Sequence, residues 1–482
     1  MRWTTLAVLG LLVLAGCLDF GKSRPPPPTT TSSGAMVFQA DGETVVPVPL
    51  PAAFGSGMRV ASVSTGFHGA EPNVGITAKG NVFVSAYESI LRSTDEGGTW
   101  VEVHHMGLGQ TFDPMLWVDV PTGRVYSIHI YPDKTCSTLI YSDDADVAQP
   151  TWREIPLRCP SLVVDHEKLA TGPPAGALAP VGGLMPFPRL VSLCYNKLSS
   201  THCAMSLDGG LSYPMDNQVD ATPGGAAPGT PANCGGLNGH QTHGSDGTIY
   251  LPYGYDCRKG RLAVSTDGGV TWTRHAFDEA ELELDPEVTV TPDGTAYYLY
   301  RGTDQAMHIL RSTDRFASHD GPFRVSPPEV KGTVFAGLTS GSDGRIAVAY
   351  LGTTDTDAGP DDAGPATVWN LYAGMSLDAG AAAPTFVTVR VNPADDPVQR
   401  GAICHSKECK AGDRNLLDFI DLSVGPDGRF WASFADGCTS AACRTAGQRD
   451  AATSRDDTAT VAWLLDGPSL LKEKGHVTAR QP

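Results

Sequence analysis

The nine residues RSTDEGGTW, Arg92 to Trp100, return almost unchanged as VSTDGGVTW, Val264 to Trp272. Weaker relatives stand between and after them: YSDDADVAQPTW from Tyr141, MSLDGGLSY from Met205, RSTDRFAS from Arg311 and MSLDAGAAAPTF from Met375. Their serines, Ser93, Ser142, Ser206, Ser265, Ser312 and Ser376, are separated by 49, 64, 59, 47 and 64 residues. A loosely kept period of that size restricts the chain to a propeller, a solenoid or a similar array.

A second phrase precedes most copies of the first. It reads TAKGNVFVSAY from Thr77, VPTGRVYSIHI from Val120, GSDGTIYLPYG from Gly244, TPDGTAYYLYRG from Thr291, GSDGRIAVAYLG from Gly341 and GPDGRFWASFADG from Gly425. Each is a tight Asx/Gly turn feeding a run of alternating apolar residues, the pattern of a turn followed by a strand. Between Ser161 and Tyr195 a diverged copy ends in RLVSLCYN, which brings the units to seven. The seventh, Leu416 to Leu465, lacks a good copy of the Ser-x-Asp phrase. Each unit therefore holds a strand, a Gly turn, two strands, the Ser-x-Asp-x-Gly turn and a last strand. Four antiparallel strands per unit make a propeller blade. The expected fold is an all-β propeller of seven blades, or six if the segments around Ser161 or Leu416 are insertions. The 54 glycines and 37 prolines suit many turns and short strands.

RSTDEGGTW and VSTDGGVTW resemble the Asp-box, or BNR, repeat of the sialidase-like propellers. The match is specific at Asp95 and Asp267, good at Asp208 and degenerate at Asp144, Asp314 and Asp378. An Asp carboxylate can accept N–H bonds across such a turn, while Gly supplies a positive φ and the following Trp can bury between blades. The resemblance implies that Asp95, Asp208 and Asp267 are structural and lie away from any active site.

The first residues, MRWTTLAVLGLLVLAGC, place Arg2 before a short apolar run ending in Leu14-Ala15-Gly16-Cys17. That ending resembles a bacterial lipobox, which implies cleavage before Cys17 and lipidation of it. An ordinary secretory signal with a chance cysteine is the alternative. Residues 1–17 are then signal and lipobox, 18–35 a Pro/Thr/Ser-rich tether containing GKSRPPPPTTTSSG, and 36–482 the propeller. The expected location is the bacterial cell envelope, at its periplasmic or extracellular face, with the membrane reached through the lipid. Beyond Cys17 the cysteines fall into five close pairs: Cys136/Cys159, Cys194/Cys203, Cys234/Cys257, Cys404/Cys409 and Cys438/Cys443. In an oxidising compartment these read as disulfides, neighbour pairing being favoured, with a zinc site the weaker alternative because no CxxC or CxxH pair occurs. A formal charge of −18 argues against nucleic acid as a partner. The chain is expected to be a monomer.

In a propeller the first strand of each blade lines the central channel. The segments opening the units are GAEPNVGI, FDPMLWVDV, VDHEKLAT, NGHQTHGS, LDPEVTVT, VFAGLTSG and LLDFIDLSV. Most carry an acid or a histidine near the start: Glu71, Asp113, Asp165 with His166, His240 with His243, Asp285 with Glu287, and Asp418 with Asp421. Rotational symmetry would bring these together at one mouth of the channel, as a site for a cation or a polar ligand. The alternative is that they are ordinary turn residues, since Asp-Pro is a common turn dipeptide. No cofactor is required by any motif, although so many oxygen donors would suit Ca²⁺. The acidic run TTDTDAGPDDAGP, Thr353 to Pro365, lacks the spacing of a calcium loop and reads as a solvated insertion.

The family resemblance implies a clamp of three arginines for a substrate carboxylate, with a Tyr/Glu nucleophile pair and an Asp acid/base. The expected Phe-Arg-Ile-Pro phrase is absent; its place reads Glu71-Pro72-Asn73-Val74, with an acid where the clamp needs a cation. Phe187-Pro188-Arg189-Leu190 has similar letters in the wrong order and blade, and no motif selects Arg258 or Arg301. Two functions remain open. One is a non-catalytic lipoprotein binding a glycan, protein or cation at the channel mouth; the other is a glycoside hydrolase using mouth carboxylates.

Overall fold

The computed structural model describes residues 30–32, 36–39, 54, 57–107, 112–130, 137–157, 164–197, 200–220, 235–254, 259–280, 286–404, 414–445 and 457–478. Seven sheets of consecutive antiparallel strands account for nearly all of them. The first strands of the blades are Val74–Ile76, Phe112–Asp119, Val164–Gly172, Thr242–His243, Glu287–Val290, Gly332–Ser340 and Asp421–Val424. Each touches the first strand of the next blade, and the last touches Val74–Ile76, so the seven close a ring around a central channel. The expected seven blades are present, and the diverged segments are blades rather than insertions. Blade three diverged in sequence because a 3-10 helix, Gly176–Leu184, interrupts the turn after its first strand.

Blade seven explains its missing Ser-x-Asp phrase. Its first three strands are Asp421–Val424, Phe430–Asp436 and Thr458–Pro468, and its fourth is Arg59–His68, supplied from before blade one. Ala61 pairs with Trp463 and Val63 with Val461. The third and fourth strands are thus not joined by a hairpin, and there is no turn for an Asp clasp to hold. Two further strands lie on outer edges. Met36–Gln39 pairs with Arg59–His68, and Thr30–Ser32, inside the stretch read as a tether, pairs with Thr99–His105 of blade one.

The core lies between blades. Trp100, from the first Asp-box, is fully buried beside Trp431 and Trp463, which stack at 4.9 Å where blade seven meets blade one. In all six boxes, including the three degenerate in sequence, the Ser hydroxyl donates to Asp Oδ1. At Asp208, Oδ1 accepts from Ser206 Oγ (2.8 Å), Leu211 N–H (3.0 Å) and Ser212 N–H (2.9 Å), and Oδ2 from Ser212 Oγ (2.6 Å). Asp95 and Asp267 do the same with Thr99 and Thr271. Asp144 and Asp378 span three more residues to reach Thr151 and Thr385 N–H. Glycine at positive φ serves the turn at Gly97 (φ 87°) and Gly269 (φ 86°), whereas blade five forces Arg315 (φ 60°) and Phe316 (φ 64°) into the same shape.

Because strands alternate in direction, all boxes share one face of the ring with the turns after the first strands. The first strands begin at the other face, the mouth. Cys194–Cys203 and Cys438–Cys443 are disulfides as expected, the first between directly paired strands of blade three. Cys404 is also disulfide-bonded. Cys17, Cys136, Cys159, Cys234, Cys257 and Cys409 lie outside the described residues. Among the described residues no helix is long and apolar enough to cross a membrane.

Candidate functional site at the channel mouth

The first strands begin irregularly. Pairing with the second strand slips between Phe112 and Met115, between Asp165 and Lys168, and between Val334 and Gly337. At these bulges and at matching points in two other blades, non-glycine residues are left-handed: Glu71 (φ 50°), Asp113 (46°), His166 (50°), Phe335 (58°) and Leu417 (59°). A bulge re-aims a side chain, and backbone of this kind is held only when its surroundings fix it. In blades one to three the re-aimed side chains are Glu71, Asp113 and His166, all buried.

These three meet Asp165 and Asp418. His166 N–H donates to Asp113 Oδ2 (2.9 Å) and Asp165 Oδ1 (3.2 Å). Asp418 N–H donates to Glu71 Oε1 (2.8 Å), while Asp418 Oδ2 lies 3.6 Å from His166 Nε2 and accepts from Arg414. Glu71 is 0% exposed, and neither its Oε2 nor Asp418 Oδ1 has a hydrogen-bond partner among the described residues. Burial, then the charges of Asp113 and Asp418, push Glu71 well above the usual carboxylate range. Burial and Asp113 do the same to Asp165. At Asp113 burial is outweighed by His166 and by a hydrogen bond from Asp165, and at Asp418 by Arg414 and His166, so both stay below the range. Asp421 accepts Val74 N–H (2.9 Å) and is pushed up to about 7 by burial.

Across the channel His240 Nδ1 lies 2.6 Å from Glu287 Oε1, and burial, Lys168 and His166 keep its imidazole neutral. Phe419 meets His240 edge-on, with centroids 5.0 Å apart, and the Lys168 ammonium sits 3.4 Å over the Phe419 ring. Glu71, Asp113, Asp165, Asp418 and the His240–Glu287 pair are therefore brought together. His243 is not. Its Nε2 contacts Ser192 (2.8 Å) between blades three and four, for His243 lies on the short strand Thr242–His243 and His240 before it. Asp285 lies outside the described residues.

Sequence reasoning missed Lys168, Arg414 and Phe419. The signal for Lys168 was its place two residues after His166 in the opening segment VDHEKLAT. Nothing local marks Arg414. Arg189 is engaged by Asp119 and Arg301 by Gln305, and Arg258 lies outside the described residues. In the Thr353–Pro365 run Asp355, Asp357 and Asp362 are exposed, while Pro360 is buried and its carbonyl accepts Ile403 N–H (2.9 Å). At the opposite, box-side end of the channel is a mainly apolar cavity of about 260 Å³ lined by Ile76, Thr77, Val120, Val424 and Leu471.

No family model and no curated protein matches the chain. Solved structures do. A Dyadobacter fermentans protein of unknown function is 14% identical with a TM-score of 0.43, over 91% of this chain and 99% of that one. A mutant of the NanB sialidase of Streptococcus pneumoniae is 11% identical with a TM-score of 0.39, over 83% and 69%. A mutant of the Aleuria aurantia lectin, in complex with Fucα1-6GlcNAc, is 12% identical with a TM-score of 0.39, over 67% and 97%. None of these likenesses bears on the chemistry of the mouth.

Proposed function

We propose that the protein is an exported, lipid-anchored binding module whose propeller mouth takes up positive charge, either a cation or a basic group of a glycan or protein ligand. The observation that carries this is the pair of buried carboxylate oxygens, Glu71 Oε2 and Asp418 Oδ1, without partners among the described residues. A buried carboxylate oxygen without a donor is costly, and a bound positive charge relieves it. The disulfides agree with an oxidising compartment, and the Cys17 anchor would hold the ring at a membrane.

Glycoside hydrolysis is the second reading. It is favoured by the divergence of Glu71 and Asp165 above the carboxylate range from Asp113 and Asp418 below it, the pattern of an acid and base pair. Access argues against it: Glu71 is 0%, Asp418 5% and Asp113 7% exposed, which admits an ion or a single ammonium group but not a sugar ring. Thermal melting with millimolar calcium, and separately with a glucosamine oligomer, tests the binding reading. A ligand at a hundred times its Kd should stabilise the fold by about 2.7 kcal/mol. Glu71→Gln should abolish the shift. Turnover of aryl glycosides that Glu71→Gln destroys would replace binding with catalysis.

A further inference from the structure

We propose that Asp113, Asp165 and His166 bind one first-row divalent metal ion, with the buried Glu71 carboxyl beside them. This rests on the reading of the mouth as a place for positive charge, and goes beyond it in naming the ion class and the ligands. Donor atoms of Asp113, Asp165 and His166 lie within 4.8 Å of one another, a spread that bonds of about 2.0–2.2 Å can span with small side-chain adjustments. The three come from first strands of adjacent blades, and His166 N–H fixes one oxygen of each aspartate, leaving each a second oxygen to offer.

Glu71 supplies the independent observation. It is completely buried, its Oε1 is held by Asp418 N–H, and its Oε2 has no partner among the described residues. Asp418, whose N–H holds Glu71, also reaches His166 Nε2 with its carboxylate at 3.6 Å, so Glu71 adjoins the three ligands. Behind the imidazole, Asp418 Oδ2 approaches His166 Nε2 at 3.6 Å and is itself held by Arg414. A carboxylate behind a ligating histidine fixes the ring and strengthens the ligand.

The donor set selects the ion. Calcium takes six to eight oxygen ligands, and an imidazole is foreign to it. Two carboxylates and one imidazole, three protein donors with a position left for water, suit Mn²⁺ or Zn²⁺.

The test uses the full mature chain stripped by a chelator, with Mn²⁺, Zn²⁺, Co²⁺ and Ca²⁺ as probes. Elemental analysis should find one ion per chain, and competition should place Zn²⁺ and Mn²⁺ at least about 100-fold tighter than Ca²⁺. Asp113→Asn and His166→Gln should each weaken binding by about 10–100-fold or more, and His166→Gln should change the Co²⁺ absorption bands. If these variants do not fold, pulsed electron resonance of Mn²⁺ on the parent should still show coupling to an imidazole nitrogen. Absence of that coupling, a calcium preference, or affinity unchanged in a folded His166→Gln would overturn the metal centre. Stabilisation by glucosamine oligomers but by no metal would sink this inference and leave the binding reading standing. No response to any cation or amine would end both.

Discussion

The two faces of the ring use the same side chain in opposite ways. On the box face Asp95, Asp208 and Asp267 are partly buried, which would push them up, yet hydrogen bonds from neighbouring Ser and Thr hold them below the usual carboxylate range. The Ser318 hydroxyl and N–H hold Asp314 at about 2 in the same manner. At the mouth Glu71 and Asp165 are pushed the other way, because few donors answer their burial. The difference lies in where partners come from. A box aspartate finds every donor within seven residues of itself, whereas Glu71 depends on Asp418, 347 positions away. Local clasps are finished by the turn that contains them; the mouth is finished only by the whole ring, and by what it binds.

The contrast breaks most sharply at Lys168, a buried cation acting on the acids of the mouth. Lys168→Met should cost about 3–5 kcal/mol in urea melts at pH 7, as expected when one partner of a buried charge network is removed. Asp208→Ala on the box face should cost about 1–2 kcal/mol, since water replaces most of its hydrogen bonds. Equal losses would mean that the faces are not different in kind.

Stability against pH sharpens the comparison next. Asp421 has a folded pKa of about 7, raised above its unfolded value near 3.9, so its favourable contribution is complete below about pH 4 and is lost as pH rises to 7. Box carboxyls are depressed, so their contribution is present above about pH 4 and lost as pH falls below it. In metal-free buffer stability should peak near pH 4–5, and Asp421→Asn should flatten the decline between pH 4 and 7 while leaving the acid limb intact. A parent profile flat from pH 4 to 7 would contradict the mouth electrostatics.

The smallest effect belongs to the irregular box of blade five. Arg315 holds a left-handed backbone (φ 60°) where the blade-three and blade-four boxes place Gly209 (79°) and Gly268 (75°). Arg315→Gly should stabilise by about 0.5–1 kcal/mol, the relief of that strain less the greater freedom of Gly when unfolded. Its exposed contact with Asp246 (3.1 Å) contributes little against that. A loss of stability would show that the exposed ion pair matters more than the backbone.

The sequence by itself determined a propeller of six or seven blades and the six clasps, and it favoured the neighbour pairing of Cys194 with Cys203 and of Cys438 with Cys443, while the structure decided on seven blades and on those two bonds. Each is written in short range: a Gly turn followed by alternating residues, a Ser two places before an Asp, two cysteines a few residues apart. It also marked which strand starts carry acids and histidines. Only the tertiary structure decided that Arg59–His68 closes blade seven, that His243 turns away into a blade interface, and that Lys168, Arg414 and Phe419 enter the mouth. The charge of each acid there was decided by the same route. A carboxyl's protonation follows its burial and the charges around it, and at this mouth both are set by residues that chain closure, not sequence proximity, brings near.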